Sequence, residues 1–315
     1  MGGAFLAVAD DRNTLHENPA GLARLTRTTI SGLGVHGAID DEFLSVVDFI
    51  QQHEEQFSDF STVDSAFLDE LEPYDDRWVS ADAAAYADLT RPGFGIGVFS
   101  SGRAQVKVDR GVYEPRVHAD VLDDIVALAG GGMELGRGDL AFGATAKVIW
   151  RRQFSRVLTA REVADFDAQD LVERLEGADA GFAMDLGALW SPPWSRLSAA
   201  AVLRDAAGRV AGETLGAAFD LGAAWRVGPR LVLASDLRDV FDGDTALGTK
   251  AHVGAELRFP VVALRAGVNQ GYSSIGASLT LPLLSMDYAF YGRELGDLPG
   301  ADGQYLHALE ARLGF

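Results

Sequence analysis

The 315-residue sequence contains no cysteine and only 10 prolines. Without a thiol there is no disulfide framework, no cysteine nucleophile and no cysteine-ligated metal. Basic residues are also scarce: 27 Lys and Arg face 46 Asp and Glu, for a net charge of −19. That balance lacks the basic footprint of a nucleic-acid binder, so no nucleic-acid partner is expected. No run approaches the roughly 18 apolar residues that a membrane helix needs. This excludes a helical membrane protein but leaves open a β-barrel, whose strands are short and half polar. The start, Met1-Gly2-Gly3-Ala4-Phe5, has no basic stretch followed by an apolar one, so no signal peptide is expected within this chain.

The motifs of catalysis are missing too. There is no Walker loop, no nucleophile elbow and no histidine cluster at metal-binding spacing. His252 and Glu256 share a strand face four residues apart, too far for a firm dyad. Asp10-Asp11, Asp75-Asp76 and Asp123-Asp124 are paired acids without EF-hand spacing and read as solvated loops. The expectation is no enzyme, no cofactor, no metal and no catalytic residue.

What the sequence has is glycine, 36 residues of it, and period-two alternation from about Thr28 onward. Alternation marks half-buried strands. Ala251, Val253, Ala255, Leu257 and Phe259 alternate with Lys250, His252, Gly254, Glu256 and Arg258. Fourteen spans follow from this reading: 28–39, 78–89, 93–108, 112–129, 139–152, 179–190, 196–206, 214–227, 230–240, 249–259, 261–270, 274–283, 286–293 and 304–315. In the fourth, Val121-Leu122-Asp123-Asp124-Ile125-Val126 also reads as helix. The connections tend to alternate long and short, as in a barrel with loops at one end and tight turns at the other. Two long loops have helical spacing. One is 41–57, with Phe43, Val46, Val47 and Ile50; the other is 161–176, with Val163, Phe166, Leu171, Val172 and Leu175.

The face that carries the charges decides between a soluble sandwich and a membrane barrel. One face collects Lys147, Asp185, Asp220 and Arg265, and the spaced pairs Asp236/Arg238, Glu256/Arg258 and Glu310/Arg312. Glycines crowd the same face at Gly143, Gly187, Gly222, Gly254, Gly267, Gly276 and Gly314, as suits a crowded lumen rather than a solvent surface. Aromatics gather at strand ends: Trp190, Trp194, Trp225, Phe259 and Phe315 at one rim, and Trp78, Trp150 and Tyr305 at the other. The fold class is therefore all-β: a transmembrane antiparallel barrel of about 14 strands, ending on an alternating strand at Phe315.

The stretch Gly2–Asp11 followed by Glu17-Asn18-Pro19-Ala20-Gly21-Leu22 resembles the long-chain fatty-acid transporter (FadL) family and its PorV-like relatives. Met286–Gly292 and Glu294-Leu295-Gly296 are similar to the C-terminal part of the same superfamily. The resemblance implies an outer-membrane barrel over 28–315, plugged by an N-terminal hatch over 1–27 that contains Asn18, Pro19 and Ala20. It implies a kink in the third strand that opens toward the bilayer, where Ser100, Ser101 and Gly102 interrupt the alternation. It also implies passive uptake of small hydrophobic molecules such as fatty acids, with Phe43, Val46, Val47 and Ile50 as an external ligand site. The alternative it carries is a non-transporting accessory barrel that docks an envelope protein through its acidic loops.

Overall fold

The computed structural model describes residues 1–58, 60–111, 116–136, 138–159, 177–296 and 298–314. Alternating small or polar and apolar residues, broken by Gly and Pro turns, set out fourteen long strands. They are β1 (Thr29–Asp40), β2 (Arg77–Arg91), β3 (Phe94–Asp109), β4 (Arg116–Leu135), β5 (Leu140–Thr159), β6 (Asp179–Trp190) and β7 (Leu197–Val210). There follow β8 (Ala218–Arg226), β9 (Leu231–Leu237), β10 (Ala251–Arg258), β11 (Val262–Asn269), β12 (Tyr272–Thr280), β13 (Leu284–Glu294) and β14 (Gly303–Gly314). A two-residue segment, Glu213–Thr214, folds back on the end of β7. Every strand pairs antiparallel with its chain neighbours, and β14 pairs with β1, so the sheet closes on itself. The Val121–Val126 stretch lies inside β4 as strand, because its alternate residues Val121 and Asp123 share one face and Leu122 and Asp124 the other. The helical stretch expected at 161–176 and the terminal Phe315 lie outside the described residues.

The outward face is apolar and open. Phe182, Val253 and Ile275 are 58%, 54% and 59% exposed, and Leu33, Val148, Leu264 and Leu309 behave alike. A continuous apolar belt of this size would be costly against water and is at home in hydrocarbon. The protein is a membrane β-barrel. On β5 the belt runs from Leu140 and Phe142 through Val148 to Trp150, about the length of strand that crosses a bilayer. Above it, Arg152 meets Asp123 of β4 at 3.7 Å on the same outward face, which marks the polar boundary.

The wall is uneven. β4 and β5 each have 20 residues, whereas β9 has 7 and β10 and β11 have 8. The tall side carries a folded loop of three helices: α1 (Phe43–Gln52), α2 (Glu54–Ser58) and α3 (Ser65–Leu71). Asp64 caps α3 by accepting from Phe67 N at 2.9 Å. Val46, Phe49, Phe57, Phe67 and Leu71 pack together and against Val79, Val108, Val117 and Leu158 of β2–β5. The ladders joining β2 to β5 run without a register shift, so side-chain parity is kept along each strand. Val108 therefore shares a face with lipid-side Ile96 and Val98, Val117 with Met133, and Leu158 with Val148. The helices clamp the outside of the wall above the lipid belt. Of the four expected site residues, Val46 is fully buried in this packing, Phe43 and Ile50 pack against it, and Val47 is half-buried. The buried aromatic anchor is Phe49, between Phe57, Phe67 and Tyr74.

Phe49→Ala should cost about 3–5 kcal/mol locally. The expected result is faster proteolytic cutting within 41–76 while the folded barrel keeps its heat-modifiable gel mobility.

Candidate functional site

The inward face of the barrel is met by residues 1–25. A wall this close to a second chain segment needs side chains of almost no size, and the inward glycines supply that. A Cβ at Gly132 would lie 2.7 Å from Ala23 N, one at Gly222 2.8 Å from Leu6 Cβ, and one at Gly130 2.9 Å from a Leu15 methyl. Gly143 and Gly187 abut Pro19 and Asn18 so closely that any side chain would collide. The segment then packs Ala4, Leu6, Ala7, Val8 and Ala20 on Ala200, Ala224, Val232 and Ala234. A second cluster joins Leu15 and Leu22 to Val126, Leu128 and Ile149.

Asn18, Pro19 and Ala20 form the pivot of this segment. Asn18 is fully buried; its Nδ2 donates to Leu6 O at 2.8 Å and its Oδ1 accepts from Ala20 N at 3.1 Å. Pro19 opens a 3₁₀ helix, Pro19–Arg24, where a missing N–H costs nothing. The asparagine thus ties the first and second halves of the segment together. It contacts the wall rather than any open space.

The lumen charges hold the segment by name. Asp236 accepts from Phe5 N at 2.7 Å and Leu6 N at 3.0 Å. Arg238 reaches Glu17 at 2.8 Å, Gly3 O at 3.1 Å and Asp236 at 3.4 Å. Arg258 pairs with Glu256 and, at 2.7 Å, with Asp10. Arg265 bonds Glu256 at 2.5 Å and Asp287 at 3.1 Å. Asp220 is held by Arg204 at 2.5 Å and also accepts from Asp239 N. Lys147 bridges Asp185 at 2.8 Å and Asp205 at 3.0 Å. Ser198 and Thr145 add donors to Ala7 O and Leu15 O.

One expected pair is not formed. Glu310 does not meet Arg312, because its carboxylate is already taken by Arg12 at 3.0 Å and by the Tyr86 hydroxyl; Arg312 donates to Ser285 Oγ at 2.9 Å. Arg12 is the residue that sequence reasoning missed. It also pairs with Asp88 at 2.7 Å and lies over the Tyr86 ring, 4.0 Å from its centroid. Asp88 lies on the inward face of β2 by parity, so alternation could have found it; nothing in the sequence marks Arg12 as its partner. Beside Arg12, burial and then the guanidinium charge hold the His16 imidazole below its usual pKa.

β3 carries no register shift at Ser100, Ser101 and Gly102, where the kink was expected. It pairs residue for residue with β2 from Phe94 to Val108 and with β4 from Phe94 to Asp109. Open space lies beside Gly102, whose glycine marks no bulge. Among the described ladders, register shifts occur in β1 near Ser31–Gly34 and between β6 and β7. At the second, β7 carries extra residues around Asp205, which has φ = +50°. There the carboxylate of Asp185 accepts from Asp205 N at 2.9 Å, where a ladder bond would otherwise lie.

Residues 1–25 leave part of the lumen unfilled. A cavity of about 330 Å³ lies between Met1–Gly3 and the inner faces of β1 and β11–β14. Ala289, Tyr291, Ala308 and Gly276 form its apolar side; His36, Asn269, Arg265 and Asp287 form its polar side. Ser274 is buried at 7% exposure with its hydroxyl facing no partner among the described residues.

Arg12→Ala leaves Asp88 and Glu310 without their cation, a loss of about 3–5 kcal/mol for a buried pair. The expected outcome in planar bilayers is a raised leak conductance. Arg312→Ala should leave conductance at the wild-type level, because it removes only a bond to Ser285.

No family model matches the sequence, and no curated protein matches it. Solved structures do. The Pseudomonas putida toluene transporter TodX is 13% identical over all of this chain and 95% of its own, with a TM-score of 0.57. A TodX variant described as a monoaromatic hydrocarbon channel, deltaS2 mutant, is also 13% identical over 97% of this chain and 94% of its own, with a TM-score of 0.59. The chain shares the fold of these solved structures, and its own fourteen long strands close end to end.

Proposed function

We propose that the protein is an outer-membrane channel for passive uptake of small hydrophobic molecules, with residues 1–27 as a hatch inside a barrel formed by 28–315. The observation that carries this reading is the 330 Å³ cavity beside the start of the hatch, closed on one side by Ala289, Tyr291 and Ala308. Its volume equals roughly eleven water molecules at about 30 Å³ each, which suits one aromatic ring or a short chain better than a long fatty acid. The TodX structures, described as a toluene transporter and a monoaromatic hydrocarbon channel, support a substrate of that size. Among the described residues the hatch is held by ion pairs, hydrogen bonds and apolar packing rather than by covalent or sheet bonds, and its first three residues by the fewest of these. A ligand that displaces Met1–Gly3 therefore needs to break only contacts such as Arg238 to Gly3 O and His252 Nδ1 to Gly2 O.

In the accessory reading, the surface that docks an envelope protein is the outer clamp. No Lys or Arg occurs between Thr28 and Arg77, while the same stretch is rich in Asp and Glu. A basic partner would be steered to it. Recovery of a stoichiometric envelope protein with the wild type, lost on deletion of 43–71, would favour docking over transport.

The test of uptake is retention of isotope-labelled toluene by the purified protein in nanodiscs. Wild type should retain label above empty nanodiscs, and Ala289→Trp or Ala308→Trp, which fill the cavity, should lose it. Equal label in wild type and empty nanodiscs would overturn the reading.

A further inference from the structure

The lipid-facing side of the short wall is not smooth. Register places Ala199, Ala223 and Ser235 side by side on β7, β8 and β9, with Val253 and Val268 continuing the row. The next row toward the short-turn rim is Leu197, Trp225, Leu233, Ala255 and Ala266. Small residues make a floor and the larger ones make its sides, so the outer surface holds an apolar groove of about 770 Å³ bounded by Trp190. On the other side of the wall the inward residues are Ala200, Gly222, Ala224 and Ala234, and the hatch lies directly on them.

The rim below the groove differs from the rest of this acidic protein. No Asp or Glu occurs from Leu186 to Leu203 or from Leu221 to Ser235, yet Arg196 and Arg230 stand exposed in the turns between these strands. The two turns touch: Arg226 N donates to Arg196 O at 2.9 Å, and Arg196 Nη1 donates to Val227 O at 2.9 Å. Arg230 lies 5.5 Å above the Phe259 ring. Trp190 and Trp194 pack edge to face at 6.3 Å, and Trp225 is 47% exposed at the foot of the groove. Indole rings at this level mark the membrane–water interface. Guanidinium groups beside them present a planar fork that suits phosphate oxygens.

We infer that this groove is a binding site for one anionic phospholipid of the short-turn leaflet. Its acyl chains lie on Ala199, Ala223 and Ala255, and its phosphate is held by Arg196 and Arg230. Hydrocarbon fills the groove, and the two cations, in turns that carry no acid of their own, select the headgroup. The site is independent of what passes through the lumen.

Native mass spectrometry of the protein released from nanodiscs of mixed phosphatidylethanolamine and phosphatidylglycerol tests this. Wild type should keep one phosphatidylglycerol through delipidation that strips the remaining lipid. The double variant R196Q/R230Q should lose the headgroup preference by about tenfold, near 1.4 kcal/mol, while still keeping a lipid of either kind. Ala223→Phe should lose the lipid altogether. Heat-modifiable mobility confirms that each variant is folded. Retention of phosphatidylglycerol by the double variant at the wild-type level would overturn the inference. So would a lipid-free dimer of the wild type, which assigns the groove to a second copy. Loss of the preference on adding inorganic phosphate with no acyl chain retained would assign the rim to free phosphate instead.

Discussion

An ionised carboxylate inside a closed barrel must be answered by a cation or by N–H groups, because the surroundings cannot solvate it as water does. Asp88, Asp185, Asp220, Asp236 and Glu256 are all buried on the inward face. The wall answers Asp185, Asp220 and Glu256 through Lys147, Arg204 and Arg265, but it leaves two of the five to the N-terminal segment. Asp236 takes its two backbone donors from Phe5 and Leu6, and Asp88 takes Arg12. The N-terminal segment and the wall therefore complete each other electrostatically, and the inward glycines allow the approach that this requires. Removing the segment would take the cation from Asp88 and two backbone donors from Asp236, so the wall and the segment are stable together.

The uneven height of the wall follows from how the two sides meet the bilayer. On the tall side, β2–β5 rise beyond the lipid belt, and their apolar outer faces would there meet water. The three loop helices cover them, with Phe49, Phe57, Phe67 and Leu71 buried against Val79, Val108, Val117 and Leu158. On the short side the strands end near the membrane boundary and have no such apolar extension to cover. The outer loop at 238–250 even exposes Phe241 and Leu247, side chains that suit the lipid surface. The clamp and the low wall are two answers to one requirement, that no apolar strand face be left in water.

Much of this was legible in the sequence. Period-two alternation marks all fourteen strands, and most ends fall within a few residues of the reading, because register slips would turn an apolar face into the lumen. The inward charges were legible by parity: Lys147, Asp185, Asp220, Asp236, Glu256 and Arg265 all reach partners in the lumen. Their partners were less so. A strand pattern gives the face on which a side chain lies but says nothing of what crosses the lumen to meet it, so Arg12, Asp10 and Glu17 went unread as ligands of Asp88, Arg258 and Arg238. The 41–57 helix was legible as amphipathic, but periodicity alone does not say which surface its apolar stripe covers. It covers the outside of the wall, and the ladder parity of Val108 and Leu158 was needed to see that.

The wall irregularity shows the same division between local pattern and tertiary cause. Ser100-Ser101-Gly102 weakens the apolar alternation, yet β3 stays fully laddered, since small residues pair as well as large ones where lipid alone lies outside. The discontinuity between β6 and β7, unlike the one in β1 beside Gly32 and Gly34, has no glycine to announce it: Asp205 takes a positive φ that costs on the order of 1–3 kcal/mol for a residue with a side chain. That cost is offset locally. Asp185 accepts the Asp205 N–H, and Lys147 sits between the two carboxylates at 2.8 and 3.0 Å. At this one point of the barrel, side chains stand in for ladder bonds, while backbone pairing holds β6 to β7 on either side, from Gly181 to Met184 and from Leu186 to Trp190. The irregularity is therefore tolerated because the same inward face that carries charges elsewhere places a lysine and two aspartates there to bridge it.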